Sequence, residues 1–351
     1  MNFGWKRGTL LTIDSQHNQL WEKWFYLLEK GSFVEGDPFP YVELAERVDD
    51  VTYKQLENCY QSVYHLGISS HDFIDWICYA IGLSWCSDKP KVSEEAHNIL
   101  DASFPWKSLI SKPADYLSYF LAKNGASGVL DYYPTPSALS VCMAKMMEPS
   151  LRESVIEPCI GAGGIILNVN TLNMVGMDLN LLMVKAACIQ AFFYKPQLLY
   201  APTPLTNVHL NDIGQVNGYF EFDTDTRIYK GDSLLGEFYA PKHIFRKDSE
   251  LVSIYVQPRR ERNRAIHQVQ GFTNSDWLTL SKADRFQVVK AFARELPFDC
   301  ILTNPPFNLK LGGEYKKMLE KINKDNENFL NEMYPEPSIK KAPEMRQLQL
   351  F

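Results

Sequence analysis

The tetrapeptide Asn304-Pro305-Pro306-Phe307 has the residue types needed to act on an amine conjugated to a planar ring. Such an amine is a poor nucleophile, and its alkylation needs fixed acceptors that draw the nitrogen lone pair out of conjugation. The Asn304 side-chain oxygen and the Pro305 carbonyl can supply two. Successive prolines stiffen the backbone and carry no N–H, which leaves their carbonyls free to face a substrate. The Phe307 ring offers a face on which a flat base can stack. The bland alternative is a strand-terminating turn. The four residues close an apolar run, 298–303, that reads as a buried strand ending at Asn304.

Positioning such a group takes a scaffold, and the preceding sequence predicts one. Ser154–Ile156 reads as a short strand running into Glu157-Pro158-Cys159-Ile160-Gly161-Ala162-Gly163-Gly164, with a helix expected after it. Glycines there let a backbone turn pass close to a flat ligand. Their spacing is not Gly-x-Gly-x-x-Gly, which weakens a dinucleotide reading. Met174–Asp178 reads as a second strand ending in an acid, and a helix is expected over Leu179–Tyr194. An acid at that strand end can accept hydrogen bonds from ribose hydroxyls. Arg227–Lys230 leads to Gly231-Asp232-Ser233-Leu234, where Asp232 could meet a ring or its amino group. Each acid taken alone could equally be a cap or turn residue. Strand-loop-helix alternation predicts an α/β fold with a parallel sheet and functional loops at the carboxyl ends of its strands.

The flanking regions are of other kinds. Residues 1–125 read as helical, with apolar residues three and four apart in Leu20, Trp24, Leu27, Leu28 and in Phe73, Trp76, Ile77, Ala80, Ile81. That spacing is what helix packing requires, so these aromatics are taken as core. The segment Tyr132-Tyr133-Pro134-Thr135-Pro136 leads into an amphipathic helix starting near Ser137. The second domain is expected over 126–309, with insertions at about 198–226 and 236–295. The later insertion holds Arg259, Arg260, Arg262 and Arg264, which are candidate DNA-phosphate contacts or a solvated helix face.

With 36 Lys+Arg against 42 Asp+Glu, the formal net charge is -6, so any contact with nucleic acid must come from a local basic surface. The seven cysteines are scattered, with no Cys-x-x-Cys pair, and read as reduced thiols of a cytoplasmic protein. No metal-ligand spacing is seen. No apolar run has membrane-spanning length, and the N-terminus lacks a signal-peptide core.

The order of these motifs resembles the gamma-type DNA adenine-N6 methyltransferases, most closely the modification subunits of type I restriction systems and their N-6 DNA methylase relatives. Tyr133-Pro134-Thr135-Pro136 is similar to a one-residue-expanded form of the family's aromatic-Thr-Pro motif, and Glu157 to Gly164 to its S-adenosylmethionine loop. Gly176-Met177-Asp178 is similar to the segment with the ribose-binding acid, Gly231-Asp232-Ser233-Leu234 to that with the adenine-side acid, and Asn304-Pro305-Pro306-Phe307 to the catalytic motif. The resemblance implies a Rossmann-like S-adenosylmethionine-dependent methyltransferase sheet after a helical N-terminal region. It implies Asn304, Pro305, Pro306 and Phe307 as catalytic residues, and Tyr133, Thr135, Glu157, Pro158, Gly161, Gly163, Asp178 and Asp232 as cofactor-binding residues. The implied reaction is direct methyl transfer to a flipped adenine in double-stranded DNA. Two departures stand out: Asp232 and Asn304 are widely separated, and the sequence after Phe307 is short and poor in strand formers. The sheet is then completed by the insertions, by the N-terminal region or by a completing or specificity subunit, unless the domain is degenerate.

Residues 310–351 read as a charged helix fading into a Pro- and Lys-containing linker that ends in Gln347-Leu348-Gln349-Leu350-Phe351. This resembles the pentapeptide by which bacterial proteins dock into the DNA polymerase sliding clamp, with Gln347, Leu348, Leu350 and Phe351 as partner-binding residues. The alternative is that Leu350 and Phe351 fold back on the core. Two further readings of the whole chain are a catalytically inactive methyltransferase-like protein that binds DNA or a partner, and a methyltransferase acting on protein glutamine or RNA.

Overall fold

The computed structural model describes residues 1–30, 36–86, 88–124, 132–151, 153–199, 227–233 and 300–305, and between 312 and 324 the positions 312–313, 315–317, 319–321 and 324. Seven helices come first: α1 (Arg7–His17), α2 (Leu20–Lys30), α3 (Asp50–Tyr64), α4 (Ser70–Ile81), α5 (Glu94–Ser103), α6 (Trp106–Ser111) and α7 (Tyr116–Asn124). Several begin at side-chain caps. Asp49 accepts from Thr52 N at 2.9 Å to start α3, and Ser69 and Asp72 form a reciprocal capping box on α4. The apolar stripe that the sequence places on α4 is fully buried at Phe73, Trp76, Ile77, Ala80 and Ile81. Gly82 ends α4 at φ +80°, and a Cβ there would meet Gly4 Cα at 2.9 Å, so the N-terminal segment packs directly on this turn.

Beyond α8 (Ser137–Met147) the chain alternates β1 (Ser154–Glu157), β2 (Asn173–Asp178), α9 (Leu181–Tyr194), β3 (Ile228–Lys230) and β4 (Cys300–Ile301). All pairings are parallel, in the order β3-β2-β1-β4. The register sets Glu157 beside Gly176 and Asp178 beside Lys230, so the strand ends lie side by side. The described sheet is therefore α/β and open, with its order reversing between β1 and β4. Crevices at such reversals, outside the carboxyl ends of the strands, are where ligands bind in sheets of this kind.

Three local expectations change. The helix expected after Gly164 is a single 3-10 turn, Ile166–Asn168. Val169 leaves helical geometry at ψ 143°, and Thr171 turns back to the Leu151 carbonyl, so the short span to β2 has no room for more. The fourth strand stops at Ile301, although Leu302 N still donates to the Ile156 carbonyl at 3.0 Å. Leu198 and Leu199, taken from sequence as the start of an insertion, are fully buried core residues.

Every turn of α9 is buried, which identifies it as a central helix. Trp21 Nε1 donates to its Phe192 carbonyl at 2.9 Å, Lys185 pairs with Asp75 of α4 at 2.5 Å, and Tyr194 donates to the Leu109 carbonyl of α6 at 2.8 Å. The helical region and the sheet thus share one core, within a unit spanning Met1–Pro306. The second unit, Phe307–Phe351, is helical at its described residues from 313 to 324. No helix among the described residues is long and apolar enough to cross a membrane.

Candidate active site

The carboxyl ends of the four strands carry the residues that the sequence singled out. Glu157 is the last residue of β1 and Asp178 the last of β2, while Asp232 follows β3 and Asn304 follows β4. Gly231 N donates to the Asp178 carbonyl at 2.9 Å, and Ile160 N to the Met177 carbonyl at 2.7 Å, which fasten the loops after β3 and β1 to the end of β2.

The glycine loop is held from several sides. Gly161 (φ +53°) donates its N–H to Asp178 Oδ2 at 2.9 Å, and Ala162 N–H points to the Tyr132 hydroxyl at 3.4 Å. Gly163 (φ +99°) donates to the Ile160 carbonyl at 2.8 Å. A phosphate cradle needs free N–H groups, and these three are spent within the protein. The loop is therefore unsuited to a dinucleotide pyrophosphate, in line with its spacing. A Cβ on Gly161 would meet the Tyr132 ring at 2.9 Å. The aromatic residue on the loop is thus Tyr132, whereas Tyr133 is 68% exposed. The motif resemblance points instead to Tyr133, the tyrosine directly before Pro134-Thr135-Pro136.

The acids share a buried, mutually repelling neighbourhood. Glu157 is 1% exposed and accepts from Ile166 N at 2.9 Å. Burial, with Asp178 and Asp115 nearby, pushes its carboxyl well above the ordinary value. Burial likewise raises Asp178, against the hydrogen bonds it accepts from Asn180 N and Gly161 N. Asp232 is buried, and Pro158 half-buried. Cys159 shares this environment: burial foremost, then the charges of Asp178, Glu157 and Asp232, push its thiol up. That is the reverse of what a cysteine nucleophile needs.

Asn304 joins the site through Thr135. Its Nδ2 donates to Thr135 Oγ1 at 2.9 Å, across 169 positions of sequence. An amide whose N–H₂ is held in this way keeps its Oδ1 as an oriented acceptor. Asn304 is half-buried and Pro305 exposed beside it. Pro306 and Phe307, the arginines 259, 260, 262 and 264, and the terminal Gln347, Leu348, Leu350 and Phe351 lie outside the described residues. Among the described residues no cluster of His, Cys, Asp or Glu could hold a metal ion.

One participant was missed from sequence. Asp115 is 3% exposed, immediately precedes α7, and lies against Gly164. Its position outside the strand-loop pattern gave no signal. Comparison of the chain with protein-family models and with curated proteins gives no match.

Proposed function

We propose that this chain is an S-adenosylmethionine-dependent methyltransferase that modifies adenine N6 in DNA, built on a Rossmann-like methyltransferase sheet. The observation that carries the reading is the Asn304–Thr135 hydrogen bond beside the β1/β4 reversal. It joins the two segments that the family resemblance assigns to catalysis and to the cofactor methionine.

S-adenosylmethionine supplies, when bound, a methyl group on a cationic sulfonium. The residues present suit it. Glu157, Asp178 and Asp232 bring carboxyl oxygens to the strand ends, and the amides of Gly161–Gly163 are not offered to an anion. Asp178, already tied to Gly161, keeps lone pairs for ribose hydroxyls. Asn304 Oδ1 and the Pro305 carbonyl accept from the adenine amine and draw its lone pair towards attack. Alignment of amine and methyl supplies the catalysis, and no general base or covalent enzyme adduct is required. The adenine must leave the duplex to reach this crevice. The proposed setting is the cytoplasm of a bacterium, or a plasmid or phage within one. There the terminal pentapeptide docks on the sliding clamp, and a completing or specificity subunit is a further partner.

The test is incubation of the purified protein with labelled S-adenosylmethionine and unmethylated duplex DNA, followed by identification of the modified nucleoside. We expect N6-methyladenine, with transfer reduced by about 100-fold or more in Asn304→Ala, as for loss of one transition-state hydrogen bond, and cofactor binding retained. Transfer at the wild-type rate by Asn304→Ala would defeat the assigned site. Cofactor binding without DNA transfer would move the search to protein glutamine or RNA, or to a missing subunit.

A further inference from the structure

The glycines of the 161–164 loop are faced by protein as well as by the crevice. A Cβ on Gly164 would meet Asp115 Oδ2 at 2.7 Å and Ser118 Oγ at 3.7 Å. Asp115 comes from the helical region, where its Oδ1 accepts from Ser118 N at 3.2 Å as a helix cap does. The same Oδ1 accepts from Gln190 Nε2 of α9 at 2.8 Å. That Nε2 also donates to the Ala162 carbonyl at 2.8 Å, and Gln190 Oε1 accepts from Leu117 N at 3.2 Å. Gln190 is 1% exposed, so the whole arrangement is buried. A helix cap needs one oxygen. The second, Oδ2, makes no hydrogen bond and lies where a Cβ on Gly164 would stand, with Ser118 Oγ on the same side. A buried oxygen left in this state is costly, and its retention calls for a role beyond capping.

We infer that Asp115 is a positioning residue of the cofactor site, fixing the conformation of the loop Gly161–Gly164 through Gln190 on one side and through contact with Gly164 on the other. The cofactor role of the loop rests on the function proposed above; the brace itself does not. Burial raises the Asp115 carboxyl, against its hydrogen bonds to Gln190 and Ser118. Asp115 touches no proposed substrate atom and acts only through the loop. Gly164 is then a glycine because an acid occupies the space of its side chain.

The experiment compares hydrogen–deuterium exchange of the ligand-free protein with that of Asp115→Ala, Asp115→Asn, Gly164→Ala and the double variant Asp115→Ala/Gly164→Ala. Thermal unfolding is followed to establish that each folds. Asp115→Ala should speed exchange over 160–166 while leaving α3 and α5 unchanged. It should raise the KM for S-adenosylmethionine about tenfold, as loss of one buried hydrogen bond would, with kcat restored at saturating cofactor. Asp115→Asn keeps an acceptor for Gln190 and should recover most of the loss. Gly164→Ala should be damaging alone and nearly silent once Asp115 is Ala. Unchanged loop exchange in Asp115→Ala, or independent addition of the two losses, would overturn the inference. A wild-type protein that binds no S-adenosylmethionine but shows the expected exchange pattern would remove the cofactor reading and leave the brace standing.

Discussion

Lys195, at the end of α9, is fully buried; its Nζ donates to Asn170 Oδ1 at 2.7 Å and lies 5.0 Å from the centre of the Tyr41 ring. Burial lowers its pKa to about 7. Between that value and the ordinary lysine range the unfolded chain binds a proton that the folded protein does not. Stability therefore rises with pH across this window, by up to about 1.4 kcal/mol per pH unit, and is lost as pH falls towards 7. Buried thiols act in the opposite sense, since burial pushes Cys59 up to about 11 and Cys86 up to about 12. The comparison must accordingly be between wild type and Lys195→Met by urea unfolding from pH 7 to 9. We expect the difference in stability between the two to change with pH in this direction; a pH-independent difference would refute it. At this same scale the sequence was legible where a residue's neighbours in the chain set its place, as for Asp178 at a strand end. It was silent where the partner is remote: nothing local to Gly164 announces Asp115, and nothing local to Asn304 announces Thr135.

Among the elements, α9 decides how far the structure can be divided. The sequence predicted this helix within two residues of its observed start, and the four strands were recognisable from short apolar runs between turn signals. The 3-10 turn after the glycine loop was not, because glycine-loop-then-helix is a local pattern and the return to β2 is a tertiary demand. Equally hidden was the burial of α9 on its outer face by α2, α4, α6 and α7, through Phe192, Lys185, Tyr194 and Gln190. A helix apolar on all sides cannot be left half-covered in water. A fragment beginning at residue 126 should therefore be insoluble or lack a cooperative transition, as judged by gel filtration and circular dichroism. A monomeric fragment that unfolds cooperatively would show that the sheet stands without the helical layer.

For the whole molecule the question is how the second unit, Phe307–Phe351, serves the first. Its sequence passes through Pro335, Pro337 and Pro343, a composition suited to an extended tether. Under the proposed function, a weak apolar anchor on such a tether concentrates the enzyme on DNA that carries a clamp. Removal of Gln347–Phe351 should abolish retention on immobilised clamp while leaving thermal unfolding and transfer to a short free duplex unchanged. Retention by the shortened chain would defeat the docking proposal.

The tryptophans have a practical consequence. Trp5, Trp21, Trp24, Trp76, Trp85 and Trp106 all belong to the helical layer, and only Trp277 of the seven falls later in the chain. The indole of Trp85 crosses to the sheet, donating to the Ile228 carbonyl at 3.2 Å. Intrinsic emission is thus weighted towards the layer that braces the strand ends. A chemical denaturation followed by that light would watch the helices part from the sheet, with Trp85 marking the seam.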